Sequence, residues 1–289
     1  MKPAPFDYVA PRTIEEVCQH LAEAGGGASV LAGGQTLMPL LALRMNQPFI
    51  VVDINRIEGL RGVSRAKGAT RIGPIVRQND IIGDTALARL LPGLVIATRH
   101  VGHHQTRNRG TVGGSISLGE PAAELPATAV ALGASIEARS ARGVRRIVAD
   151  AFYLGPYATA LEADEFVTGI IFPDWPVDTL TLFREVARRP GDFALVGLIG
   201  ALAVESGRIT RAGIAWFGMG PTPMRARQAE AALIGQSVTG LDIAAIAELA
   251  IADTQPFGDH HATEDYRRTV GARIFARTLG ETLQARQAA

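Results

Sequence analysis

The four residues Pro173-Asp174-Trp175-Pro176 divide the chain into two stretches of different grammar, and no other feature restricts the possible folds as strongly. Ahead of them, short helical and strand-like segments alternate. Beyond them come three strand candidates, Leu180 to Val186, Val196 to Glu205 and Ile209 to Phe217, with a Ser206-Gly207 turn between the last two. Helix candidates then run from Arg225, from Asp242 and from Thr263 to the end. Proline at both ends makes the dividing segment the best linker in the chain. Strands followed by helices, without βα alternation, indicate an α+β unit. At 289 residues the chain exceeds one compact core and falls short of three domains, so a larger and a smaller unit, or subdomains sharing a groove, are expected.

Within the first stretch the local signals are physical ones. Thr13 followed by Glu16 is a capping-box pattern, and Ile14, Val17 and Leu21 then fall on one helical face. Gly25-Gly26-Gly27 stops that helix, because glycine accepts the left-handed backbone of a C-cap. Ser29 to Ala32 reads as a short buried strand, Leu37 to Arg44 as a helix with Pro39 in its first turn, and Ile50 to Ile54 as a second strand. Leu60 to Pro74 alternates about a Lys67-Gly68 turn and predicts a hairpin. Two helical segments split near Pro92-Gly93, then a polar, basic passage from His100 to Arg109. Pro121 to Leu132 predicts a helix, Ser135 to Arg139 with Val144 to Val148 a hairpin, and Val167 to Phe172 a strand.

Composition removes several function classes. Hydrophobic residues make up 47% and charged residues 20%, so the chain can bury a core and is not disordered. A net charge of +1 argues against a chain built to coat nucleic acid or an anionic membrane. The single cysteine, Cys18, excludes an internal disulfide framework, and equally an iron–sulfur cluster or multi-thiolate zinc site supplied by this chain alone. No apolar run approaches the ~20 residues that span a bilayer, and the segment from Met1 to Asp7 has no secretory apolar stretch, so a cytoplasmic location is expected.

Two Gly-Gly passages carry the chemistry: Leu31-Ala32-Gly33-Gly34-Gln35-Thr36 and Thr111-Val112-Gly113-Gly114-Ser115-Ile116-Ser117. Paired glycines let a backbone approach a bulky anion with no Cβ in the way. Successive N–H groups in such a turn, or at a helix N-terminus, form an anion-binding nest. Hydroxyl or amide side chains just afterwards (Gln35, Thr36, Ser115, Ser117) add donors, and two such passages converging would suit a diphosphate. Taken singly, each pair is equally compatible with a tight turn. A P-loop, a dinucleotide GxGxxG fingerprint and a serine-hydrolase elbow are all missing.

Other polar clusters carry less. The histidine pairs His103-His104 and His260-His261 lack the i, i+4 spacing that puts two rings on one helix face, so metal ligation is not expected. Arg107-Asn108-Arg109 could neutralise a phosphate or be a solvated loop. Glu120 and Glu124 are compatible with acid–base work or with a helix N-terminal dipole, and Arg188 to Phe193 reads as a polar surface turn with one aromatic.

Several ordered motifs together resemble one family. They are Ala32-Gly33-Gly34-Gln35-Thr36-Leu37-Met38-Pro39-Leu40-Leu41, Val52-Asp53-Ile54-Asn55 and Arg107-Asn108-Arg109-Gly110-Thr111-Val112-Gly113-Gly114-Ser115. Pro121-Ala122-Ala123-Glu124-Leu125-Pro126 and Arg188-Arg189-Pro190-Gly191-Asp192-Phe193-Ala194 complete the set. The chain is thereby similar, over almost its whole length, to the FAD-binding medium subunit of the molybdenum hydroxylases, the family of carbon monoxide dehydrogenase, quinoline oxidoreductase and the middle part of xanthine dehydrogenase. The resemblance implies an α+β chain: a two-part FAD-binding fold of the vanillyl-alcohol-oxidase (PCMH) type, residues 1–175 with subdomains of roughly 1–57 and 58–175, plus a C-terminal α+β domain, residues 177–289, of three antiparallel strands and a helical bundle. It places the FAD diphosphate on Ala32, Gly33, Gly34, Gln35 and Thr36 and on Thr111, Val112, Gly113, Gly114 and Ser115. It carries a further contact onto Glu124, sets Phe193 beside the isoalloxazine ring, and matches a basic residue to Arg184. Two departures stand out: phenylalanine at 193 lacks the hydroxyl of the tyrosine frequent there, and Leu118-Gly119-Glu120 replaces the family's His-Ala-Asp.

The function implied is electron transfer. A large partner subunit would carry the molybdenum cofactor, a small one two [2Fe-2S] clusters, and the whole would be a dimer of heterotrimers. Electrons would reach FAD here and leave to an external acceptor, with no catalytic side chain and no metal ligand in this chain. Two other readings compete: a self-contained FAD-dependent oxidoreductase acting directly on a small molecule, and a nucleotide-binding scaffold without redox turnover. The substrate of the complex and the electron acceptor are not written in this chain.

Overall fold

A computed structural model of the chain describes residues 2–288, so Met1 and Ala289, the outermost residues of the two expected units, lie outside the described residues. The chain opens with β1 (Asp7–Val9), α1 (Ile14–Ala24), β2 (Ala28–Leu31), α2 (Leu37–Ala42) and β3 (Ile50–Asp53). The three strands form a parallel sheet in the order β1-β3-β2. The capping box forms as expected: Glu16 N donates to Thr13 Oγ1 at 3.2 Å and Thr13 N donates back to Glu16 Oε2 at 3.3 Å. Gly25 closes α1 with a left-handed φ of 55°. Val17, Cys18 and Leu21 of α1 pack with Val52, Ile54 and Ile57 into a small core, each large side chain contributing roughly 1.5–3 kcal/mol. Leu31 is in register with Asp53, so β2 and β3 end side by side. The carboxyl ends of parallel strands are where open sheets present ligands.

Next come β4 (Val63–Ala66) and β5 (Ala69–Ile72), then α3 (Gln78–Gly83), α4 (Thr85–Leu90), α5 (Pro92–His100), α6 (His104–Arg109), α7 (Val112–Leu118) and α8 (Glu124–Ala131). They are followed by β6 (Ser135–Ser140), β7 (Gly143–Val148), β8 (Tyr153–Gly155), β9 (Ala158–Thr159) and β10 (Phe166–Pro173). The main sheet runs β4-β5-β10-β6-β7, and β10 is antiparallel to both neighbours. Lys67 (φ 52°) and Gly68 (φ 76°) make the β4–β5 turn, both central residues left-handed as the twist of a two-residue hairpin requires.

This region departs from expectation in four places. The helical segment before Pro92 is broken at Asp84, whose Oδ1 caps α4 by accepting from Ala86 N (2.8 Å) and Leu87 N (3.0 Å). Residues 104–109 are helical rather than irregular, although α6 buries no residue. The second Gly-Gly pair lies inside α7, not in a loop after a strand. Pro121 sits in the turn ahead of α8, which starts at Glu124.

The C-terminal part comprises β11 (Leu180–Val186), β12 (Val196–Glu205), β13 (Arg208–Phe217), β14 (Met224–Arg225), α9 (Arg227–Leu233), α10 (Ile243–Ala252) and α11 (Glu264–Ala288). A two-residue fourth strand thus joins the three expected antiparallel ones. Alternation divides the sheet between two cores. Leu182, Leu198, Ile214 and Trp216 pack with Ile246, Phe275 and Leu279 of the helices. Phe183, Ile199 and Phe217 face the other way and join Leu94 of α5 and Leu125 of α8. Trp175 in the linker is pinned: its indole N–H donates to Leu132 O (3.1 Å), and the Arg211 guanidinium stacks 3.6 Å over its ring.

Candidate cofactor site

β2 delivers the first Gly-Gly passage to the carboxyl edge of the parallel sheet. Gly34 takes φ +71°, a conformation that costs a residue with a Cβ about 1–2 kcal/mol. Thr36 precedes α2 without bonding an amide of its first turn. Among the described residues, no acceptor meets the backbone N–H of Gly33, Gly34, Gln35 or Thr36; the Gln35 side chain turns back, its Nε2 donating to Gly33 O at 3.1 Å. These four amides line or adjoin an open cavity of about 430 Å3 bounded by Ala32, Met38, Asp53, Asn55 and Arg109.

A polar network behind the cavity ties the two passages together. Asn55 Nδ2 donates to Ala32 O (2.7 Å) and to Asp53 Oδ1 (2.7 Å), and Tyr8 OH donates to Asp53 Oδ2 (2.7 Å). Burial would raise the Asp53 carboxyl, but the hydrogen bonds from Tyr8 and Asn55 outweigh it and hold the group below its ordinary range. Arg77 reaches across, donating through NH2 to Asn55 Oδ1 (2.6 Å) and through NH1 to the Arg109 carbonyl. A Cβ on Gly33 would stand 2.6 Å from Arg109 O and 2.9 Å from Gly110 Cα. The first passage therefore abuts the backbone that leads into the second.

In the second passage Thr111 is the N-cap of α7, and its Oγ1 accepts from Gly114 N at 3.0 Å. Val112 N donates to Val76 O (3.0 Å), Gly113 N to Pro74 O (2.9 Å) and Ser115 N to Thr111 O (3.2 Å). The amides from Val112 to Ser115 are thus committed to protein acceptors, and an anion nest of free amides is offered by the first passage alone. Gly113 is buried where a Cβ would lie 2.6 Å from Pro74 Cα, whereas a Cβ on Gly114 would meet only the Thr111 hydroxyl. Gly114 and Ser115 are half-buried and open to the exterior.

The remaining expected residues lie apart from the 430 Å3 cavity. Glu124, the first residue of α8, is buried, and its carboxyl is pushed up to about 8, chiefly by burial and further by Glu185 and Glu120. Phe193 is 62% exposed on the turn after β11, two residues past Gly191 at the rim of a second cavity of about 560 Å3. The two cavities flank α6: Arg107 lines the larger and Arg109 the smaller. Arg107 also ties α6 to the carbonyls of Val101 and Gly102, each at 2.9 Å. Arg184 points away from both cavities and pairs with Glu281 of α11 at 2.5 Å. Glu120, which stands in the departing Leu-Gly-Glu segment, accepts from Ala122 N (3.0 Å) and from the Tyr157 hydroxyl. Asn55 and Arg77 had no assigned role in the sequence. An Asp-x-Asn after a strand hints at the first, and nothing local hints at the second.

Residues 4–175 match the family described as "FAD binding domain in molybdopterin dehydrogenase", and residues 181–282 match "CO dehydrogenase flavoprotein C-terminal domain". The chain is 35% identical over 284 residues to the 6-hydroxypseudooxynicotine dehydrogenase complex subunit alpha of Paenarthrobacter nicotinovorans, covering 98% of this chain and 96% of that one. The solved carbon monoxide dehydrogenase of Hydrogenophaga pseudoflava superposes with a TM-score of 0.94 at 35% identity, over 99% of each chain. Quinoline 2-oxidoreductase of Pseudomonas putida 86 gives 0.92 at 34% identity, again over 99% of each. Two matched family regions, a full-length relative above 30% identity and a shared fold agree with the site geometry: the chain belongs to the FAD-binding medium subunits of the molybdenum hydroxylases, as an oxidoreductase subunit.

Proposed function

We propose that this chain passes electrons from iron–sulfur clusters on a small partner subunit through FAD to an external acceptor, in a cytoplasmic dimer of heterotrimers whose large subunit carries the molybdenum cofactor. The carrying observation is the row of four free amides, Gly33 to Thr36, at the edge of a cavity beside Arg109. Such a row suits a dianionic diphosphate, because each N–H offers a fixed partial positive charge and no Cβ intervenes at the glycines. An orphaned polar atom agrees with a second polar end to the ligand: Arg107 Nε is buried without a partner among the described residues, beside the larger cavity. The residues present therefore fit FAD. When bound, FAD supplies the redox chemistry, and the protein supplies position and electrostatics.

In this reading Ala32, Gly33, Gly34, Gln35 and Thr36 hold the diphosphate through amides, with Arg109 adding charge. Thr111, Val112, Gly113, Gly114 and Ser115 contribute the Ser115 hydroxyl, the open face over Gly114 and a rigid wall. Asn55 and Arg77 keep the passages in register. Glu124, holding its proton at neutral pH, donates a hydrogen bond rather than repelling an acceptor, and Phe193 covers the ring. Residues 1–175 form the FAD-binding unit, with subdomains of roughly 1–57 and 58–175, and residues 177–289 the C-terminal domain. The test is a visible spectrum of the purified protein with chromatography of the flavin released by heat, together with the chains that co-purify. A flavin spectrum, released FAD and two partners support the proposal; a colourless protein that takes up no added FAD contradicts it. Bleaching of the flavin by a small substrate in the isolated chain would instead favour a self-contained oxidoreductase.

A further inference from the structure

The cavity of about 560 Å3 contains a carboxyl group for which the cofactor-binding role has no use. Glu185 is on the face of β11 that looks toward α5 and α8, beside Phe183 and opposite the helix-facing Arg184. Its side chain is only 6% exposed, and its Oε2 has no hydrogen-bond partner among the described residues. His100, the last residue of α5, brings Nδ1 to 3.5 Å from that oxygen while leaving its ring 49% exposed. The ring also packs on Phe183 at 4.5 Å between centroids, which fixes its position at the cavity wall. A buried carboxyl without a partner costs roughly 1–3 kcal/mol, so its presence calls for a reason beyond packing.

We propose that Glu185 and His100 form a proton-exchanging pair in the wall of this cavity, serving the redox group of the bound cofactor. This rests on the FAD reading above. Two-electron reduction of bound FAD, in the reading above, would require a proton, and Glu185 would supply it. The Glu185 O–H bond breaks as the new bond to that proton forms, and the electron pair stays on the carboxylate. Water at the exposed edge of the imidazole then protonates one ring nitrogen as Nδ1 gives its proton to Glu185, which leaves the ring neutral; oxidation runs the same transfers in reverse. Burial pushes the Glu185 carboxyl up to about 7, and burial together with Arg107 pushes the imidazole down. Glu185 thus exchanges its proton near neutrality, where a general acid is most effective. The charged groups around the pair are Arg99 on α5, Arg107 on α6, Glu124 on α8 and Arg188 and Arg189 after β11. His103 and His104 at the start of α6 also line the cavity.

The experiment measures the midpoint potential of bound FAD against pH in the purified complex, for the native protein and for Glu185→Gln. The proposal expects a bend near pH 7 in the native plot that disappears in Glu185→Gln at unchanged FAD content. Superimposable plots at equal FAD content overturn it. His100→Gln, at a half-exposed position, must also displace the bend, which guards against a folding defect at Glu185. A chain without FAD would sink the flavin reading instead, and the imidazole titration followed by NMR then judges the pair. Two steps in the native His100 titration that collapse to one in Glu185→Gln support it; identical titrations in both proteins overturn it.

Discussion

Gly33-Gly34 and Gly113-Gly114 look alike as sequence and use their backbones in opposite ways. After β2 the amides from Gly33 to Thr36 lie at a cavity edge and have no acceptor among the described residues. At the start of α7 every amide from Val112 to Ser115 is already engaged, and buried Gly113 exists to let the helix touch Pro74. The difference traces to the neighbouring residues. Thr111 is a working N-cap and converts its glycines into a helix start, whereas Thr36 leaves the first turn of α2 uncapped. A glycine pair signals close approach of a backbone, and the flanking side chains decide whether the visitor is a ligand or the protein itself.

That contrast can be broken most forcefully at Gly113. Gly113→Val drives a side chain into Pro74 and is expected to destabilise the fold by about 3 kcal/mol or more, read as a fall in the denaturation midpoint, with FAD lost as a consequence. The next effect lies one helix on, at Glu124. Its folded-state pKa of about 8 is above the usual carboxylate value, so its contribution to stability is full below about pH 4.5 and is lost as the pH rises through 8. Denaturant titrations should show stability falling over that window by several kcal/mol, and Glu124→Gln should flatten the fall. Gly34→Ala should cost about 1–2 kcal/mol of backbone strain, yet weaken FAD binding far more than that stability loss implies, because the free amides are displaced. The smallest change in stability is expected for Gly114→Leu, about 1 kcal/mol, since its Cβ would displace only the capping hydroxyl of Thr111. Its side chain should nevertheless stand in the open face and abolish FAD retention, measured as flavin per protein. If Gly114→Leu keeps its FAD, the second passage is only a wall of the fold.

Elements whose signals are local were legible. The Thr13–Glu16 box, the Lys67-Gly68 turn and the long apolar run of β12 with its Ser206-Gly207 turn rest on residues within a few positions of one another. α6 was not, because it buries nothing and so has no apolar period; Arg107 bonding back to Val101 and Gly102 holds it in place. β9 and β14, two residues each, are too short for any pattern. At the site, both Gly-Gly passages were visible, but the use of their amides was not, since Val76 and Pro74 accept from the second over a separation no motif encodes. Arg77 is likewise invisible: it joins Asn55, 22 residues away, to Arg109, 32 residues away.

The central claim is that the first passage holds a diphosphate through its free amides. The most direct measurement titrates the flavin-free protein with FAD, FMN and riboflavin, following flavin fluorescence, in the native chain and in Gly34→Ala. The account predicts tight binding of FAD, at least about a hundredfold weaker binding of riboflavin, equivalent to roughly 2.8 kcal/mol, and collapse of that preference in Gly34→Ala. Equal affinity for FAD and riboflavin, or a preference that survives Gly34→Ala, would contradict it.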